Sequence, residues 1–188
     1  MQKRKMKATK IILFFVLMTG MSICLNGQNA STASFEFQAY PTGIIPGISA
    51  DLKLNKASFF HVRLGANIFD HRDLGVQETE EGSGFGFSLG YRRFFSSDNP
   101  RWRWGLKTDL WLNEVDWTNG ANTSSPNAGR TEITVLQPTA ELAYVWDLGG
   151  FILAPNIAFG FEWNVQTDGE PTGEGAILLL GIQVGKKL

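Results

Sequence analysis

The stretch Asp70-His71-Arg72-Asp73, followed by Glu78, Glu80 and Glu81, holds the densest set of metal-ligating side chains in the chain. The carboxylates are hard oxygen donors of the kind a divalent cation takes, which, with the imidazole beside them, makes Asp70, His71, Asp73 and Glu80 candidate ligands. Their spacing does not follow a Ca²⁺-binding loop, so the plainer expectation is a solvated loop tip with no metal assigned. Asp109 and Glu141 are a second candidate, a carboxylate pair of the kind that divides general acid and general base work. Arg103 and Lys107 stand nearby in sequence and favour structural ion pairs instead. His61, two residues before Arg63, is the third. No G-x-S-x-G or H-E-x-x-H pattern is present, and Cys24 is the one thiol. The expectation is a chain with no catalytic residue and no cofactor.

The elements that carry these residues alternate with a period of two. In GFGFSLGYRRFF (84–95), Phe85, Phe87, Leu89 and Tyr91 share one face, while Gly84, Gly86, Ser88, Gly90 and Arg92 share the other. Such alternation is the mark of a β-strand. Seven further segments read the same way, at about 35–40, 48–54, 60–68, 102–112, 131–146, 153–163 and 176–188. Pro41, Thr42 and Gly43 make a turn that Pro46 and Gly47 prolong. Long polar loops are expected over 70–82, 118–130 and 164–175, with tight turns between the remaining strands. Pro138 and Pro155 fall inside strands, where a sheet needs every N–H, so a bulge or a shifted strand start is expected there.

Composition narrows the compartment. Residues 1–27 hold five of the 17 Lys+Arg and none of the 18 Asp+Glu, and their basic start leads into an apolar run over 11–25. That is a cleaved secretory signal peptide, shorter than a membrane-spanning helix. The remaining domain, 28–188, is net acidic and has no cysteine, which excludes a basic nucleic-acid binder, a disulfide framework and thiol chemistry.

Alternation alone leaves open whether the greasy face meets a protein core or lipid. The polar face carries the glycines together with Glu36, Asp51, Lys53, Arg63, Arg92, Arg103, Lys107, Asp109, Glu141 and Glu162, five acids and five bases suited to pairing inside a narrow barrel. Tyr91, Trp102, Trp104, Tyr144 and Trp146 fall near the short turns, and Trp117 and Trp163 near the long loops, the two places where an interfacial girdle sits. Both features point to an all-β fold, an eight-stranded antiparallel up-and-down transmembrane β-barrel with both termini periplasmic.

The stretches FDHRDLG (69–75), GFGFSLGYRRFF (84–95), KTDLWLNEVDW (107–117), TVLQPTAELAY (134–144) and GIQVGKKL (181–188) resemble the small eight-stranded outer-membrane β-barrels of Bacteroidetes-type bacteria, the outer membrane protein beta-barrel domain family. Leu188 departs from the aromatic last residue of the usual barrel-assembly signal. The resemblance implies a monomer in a Gram-negative outer membrane. Its expected role is that of a non-enzymatic structural envelope component, whose outer loops bind lipopolysaccharide, a host surface or another envelope protein. A narrow or gated pore is one alternative. A lipid-modifying hydrolase using His61 is the other, although His61 lies on the polar face, away from lipid.

Overall fold

The computed structural model describes residues 30–72 and 76–188, which form strands joined by turns. In chain order these are β1 (Ala30–Tyr40), β2 (Gly43–Lys53), β3 (Ser58–Arg72), β4 (Thr79–Phe94), β5 (Trp102–Asn119), β6 (Asn127–Tyr144), β7 (Trp146–Asp147), β8 (Phe151–Asp168) and β9 (Gly175–Lys187). β7 is a two-residue ribbon paired with the start of β8. The other eight pair antiparallel with their neighbours, and β1 pairs with β9 from Thr32↔Lys187 to Ala39↔Leu180, so the sheet closes into an eight-stranded barrel.

Register places the two faces. Phe35, Ile48, Leu64, Phe87, Leu110, Leu136 and Trp163 are successive pairing partners from β1 through β8, a row of apolar residues that runs around most of the outer wall. One step along each strand lies the row Glu36, Gly47, Gly65, Gly86, Trp111 and Val135, which faces the lumen. The glycines there are functional gaps: a Cβ on Gly86 would come within 2.5 Å of Trp111 Cε3, and one on Gly65 within 3.4 Å of its Cη2. Trp111, 0% exposed, therefore lies across a floor that only glycine leaves open.

Two expectations are corrected by the strand lengths. The polar stretches 70–82, 118–130 and 164–175 are about half strand: β3 to β6 and β8 run into them, and the connections shorten to 73–78, 120–126 and 169–174. Polarity marked where the wall stops being apolar outside, and a hairpin with water on its outer face keeps its ladder beyond that height. Pro46 and Gly47 likewise belong to β2 rather than to a prolonged turn.

The prolines fit the ladders without breaking register. β2 and β3 pair at Ile44↔Ile68 and next at Gly47↔Gly65, with Pro46 in the gap. β6 and β8 pair at Leu136↔Trp163 and next at Thr139↔Gly160, with Pro138 in the gap. Pro155 pairs with Ile182 of β9, while on its other side β8 passes from β6 to β7. Each ring nitrogen thus falls where one ladder is already interrupted.

Candidate functional site

The lumen is filled in two tiers. In the inner half, Arg92 ties three carboxylates together: Nε and Nη2 donate to Glu141 at 2.6 and 3.1 Å, and Nη1 donates to Glu36 at 2.9 Å and Asp51 at 3.1 Å. Arg103 donates to Asp51 at 3.2 Å and to Gln183 at 2.7 Å. His61 Nδ1 lies 2.9 Å from the same Asp51. Beside this group, Arg63 donates to Gln38 at 2.5 Å, Ser88 at 2.9 Å and Asp109 at 3.0 Å, and Lys107 donates to Gln38 at 2.9 Å and sits 3.4 Å from Asp109. Four cations thus face four carboxylates, all buried. Such a cluster survives away from water because the charges neutralise one another at short range.

The structure brings Arg63, Arg92, Arg103, Lys107, Asp109 and Glu141 into this one network. Glu36 and Asp51, acids of the same predicted polar face, and His61, expected there as an interior imidazole, join it as partners. Glu162 is the exception. It faces the lumen but lines a small outer cavity with Tyr40, Asn67, Asn113 and Asn164, and it has no ion pair among the described residues.

An apolar tier separates that cavity from the network. Ile45, Phe69, Trp111, Val115, Ile133, Val135, Ile177 and Leu179 pack together across the barrel. Trp111 is the hinge between tiers: its Nε1–H donates to Gln137 at 2.7 Å, and the Arg63 guanidinium carbon lies 5.6 Å from its ring centroid, a cation–π contact. The expectation of a lumen that is polar throughout is corrected here. These residues occupy polar-face positions, but a barrel this narrow has room only for side chains, and an apolar plug excludes water as well as a charged one.

Outside, the aromatic residues of the inner rim form one belt. Tyr91 lies against Trp104 at 5.6 Å between centroids, Trp102 against Tyr144 at 5.0 Å, and Tyr144 against Trp146 at 5.3 Å. On the wall toward the outer end, Trp163 stacks on Phe161 at 6.4 Å and 9°. Trp117 does not belong to either group. It is 7% exposed, points into the lumen and donates from Nε1 to Thr131 Oγ1 at 3.2 Å, with Gly129 opposite it. The signal was available: Trp117 shares its parity along β5 with Lys107, Asp109 and Trp111.

The candidate metal ligands are dispersed. Asp70 is exposed on the outer surface, directly opposite Glu81. His71 points the other way, its Nε2 3.2 Å from Thr42 Oγ1 and its ring edge-on to Phe69, and burial holds its imidazole below the usual histidine range. Glu80 is buried and serves as a loop anchor, accepting from the N–H groups of Val76, Gln77 and Gly173 at 2.9, 3.0 and 3.2 Å. Asp73 lies outside the described residues. Among the described residues no group of three donors is placed to hold an ion.

Above the apolar wall the hairpins carry acids on their outer faces. Asp70, Glu81 and Asp116 are successive pairing partners across β3, β4 and β5, as are Glu114, Glu132 and Asp168 across β5, β6 and β8. Arg130 relieves part of this repulsion by holding Asp116 at 2.6 and 2.8 Å and Glu114 at 3.2 Å. Its hydrogen bonds keep the Asp116 carboxyl below the usual range.

No family model matches the chain, and no curated protein matches it in sequence. Among solved structures it is similar to the N-terminal β-barrel domain of Pseudomonas aeruginosa OprF, with 16% identity over 85% of this chain and 99% of that one and a TM-score of 0.46. It is similar to Neisserial surface protein A, with 13% identity over 85% and 95% and a TM-score of 0.49. It is also similar to Ail, the attachment invasion locus protein of Yersinia pestis, solved with the heparin analogue sucrose octasulfate, with 7% identity over 86% and 100% and a TM-score of 0.44.

Proposed function

We propose that this chain is a monomeric, lipid-embedded barrel of a Gram-negative outer membrane, a non-enzymatic structural component of the envelope that binds through its outer hairpins. One observation carries the reading: the barrel is inside out. Its lumen holds the ion pairs, while Phe35, Ile48, Phe85, Leu89, Leu106, Phe159 and Leu180 stand exposed around its outer wall. A surface of that extent and continuity is tolerated in lipid and invites aggregation in water. Closure leaves no unpaired edge, which suits a monomer. The start of β1 and the end of β9 lie at the same end of the wall as the short turns, which supports termini on the periplasmic side. The sequence resemblance to Bacteroidetes-type barrels supports assigning it to that group.

The partner we assign is lipopolysaccharide. The acids of the hairpins point sideways from the wall, at the height where neighbouring headgroup phosphates lie, and bridging divalent cations join carboxylate to phosphate. The two-tier filling of the lumen supports a barrel that does not conduct. His61, 0% exposed and held by Asp51, has the surroundings of a structural imidazole, which supports the non-enzymatic reading.

Fractionation tests the reading directly. The protein is expected in outer-membrane fractions, with a gel mobility that changes on boiling, and its recovery as a soluble periplasmic monomer would refute the proposal. Native mass spectrometry from mild detergent is expected to show bound lipopolysaccharide that chelators release. A co-purifying protein in its place would move the assignment to an envelope partner.

A further inference from the structure

We propose that the inner mouth of the barrel is a binding site for a small amphipathic anion, a carboxylate carried on an aryl or short alkyl body. Below the charged network the lumen widens into a cavity of about 240 Å³. That is room for roughly eight waters at liquid density, and it suits a ligand the size of phenylbutyrate.

One wall of the cavity is apolar. Phe59 and Phe94 meet edge-on at 5.7 Å, and Val145 and Ile152 continue the surface as part of a small buried cluster with Ala154. A wall of this kind takes a ring or a short chain. The other side is cationic. Lys53 and Lys56 line the cavity without a carboxylate partner among the described residues. The lining carboxylates are already engaged, Asp51 by Arg92, Arg103 and His61, and Asp147 by Lys187.

A carboxylate facing Lys53 and Lys56 meets the surplus charge of the rim, and its apolar body then covers Phe94, Val145 and Ile152.

The test uses the folded barrel in a neutral maltoside detergent with three probes: 4-phenylbutyrate, 4-phenylbutanol and inorganic phosphate. Phenylbutyrate is expected to bind saturably, one per barrel, and to shift the methyl NMR signals of Val145 and Ile152. The neutral alcohol and the bare anion are expected to bind about tenfold more weakly or worse, since each lacks one half of the recognition. The Lys53→Glu/Lys56→Glu barrel, altered only at exposed positions and checked for its boiling-dependent gel shift, is expected to weaken phenylbutyrate about tenfold. Ile152→Trp is expected to fill the cavity and abolish binding; if it does not fold, the charge-reversed pair decides alone. Uptake that does not saturate, or that is equal in the charge-reversed barrel, is partition into the micelle and overturns the proposal. Equal affinity for phosphate overturns the amphipathic ligand.

Discussion

Replacing Arg92 with Met tests whether the inner tier is a neutralised, water-poor cluster. Three carboxylates lose a partner at once, but unequally. Asp51 keeps Arg103 at 3.2 Å and His61 at 2.9 Å, and Glu36 keeps the Ser49 hydroxyl at 3.0 Å and Arg63 at 3.8 Å. Glu141 loses both short bonds and retains only Arg103 at 4.0 Å. The penalty should therefore be that of one buried carboxylate left without a partner, about 3–5 kcal/mol. Urea unfolding from phospholipid vesicles, followed by tryptophan fluorescence, would read this as a midpoint lowered by roughly 2 M at a slope of about 2 kcal/mol per M. The structure makes a sharper demand of the double variant. Arg92→Met/Glu141→Gln removes the orphaned charge along with its partner and should recover half or more of the loss. A single-variant cost below about 1 kcal/mol, the level of an exposed pair, would mean that water reaches the cluster. A double variant no better than the single would mean that Glu141 is not the residue left stranded.

Three other perturbations follow from the same geometry. Leu89 stands on the outer wall, 46% exposed, so Leu89→Arg should cost about 2–4 kcal/mol in vesicles if lipid surrounds it; an unchanged urea midpoint would contradict a lipid-facing wall. Trp111→Ala removes the largest piece of the plug and leaves Gln137 Oε1 without its indole donor, which should cost about 3–5 kcal/mol; an unchanged urea midpoint would contradict a packed apolar tier, and planar-bilayer recordings should show no conductance steps in either barrel, since the charged tier still fills the lumen. Arg130 holds Asp116 below its ordinary value of 3.8, so the pair steadies the β5–β6 hairpin above that pH and loses its effect as pH falls through the lowered value; proteolysis within 120–126 should rise in acid for the native chain, whereas Asp116→Asn should be equally labile at both pH values.

Much of this architecture was legible because the barrel writes its two faces as alternation. Gly84 through Phe95 showed inside and outside residue by residue, and the same parity placed Arg63, Arg103, Asp109 and Glu141 in the lumen. What stayed hidden has physical causes. Strand ends vanished in 70–82, 118–130 and 164–175 because both faces of a hairpin in water are polar, so its period carries no hydrophobic contrast. Ile45, Trp111, Val115 and Leu179 broke the rule that lumen residues are polar, since a plug needs volume more than polarity. Trp117 was misplaced by residue type, a tryptophan near a loop, where parity along β5 pointed inward. The vacancy at the inner mouth was beyond sequence altogether, because Phe59, Lys53, Val145 and Arg103 meet only through closure.

That closure sets a timetable for the protein's making. The seam joins Thr32 to Lys187 and Ala39 to Leu180, partners near opposite ends of the chain. Pairings so distant in sequence are slow to find, because the intervening chain must be gathered before the seam yields any bond. Until then β1 and β9 each present an open row of N–H and C=O groups that hydrocarbon cannot solvate. β1 is thus left waiting for β9, and no part of the wall can be inserted in advance. The chain stays unfinished as a structure until the seam forms, and becomes a barrel in a single concerted event.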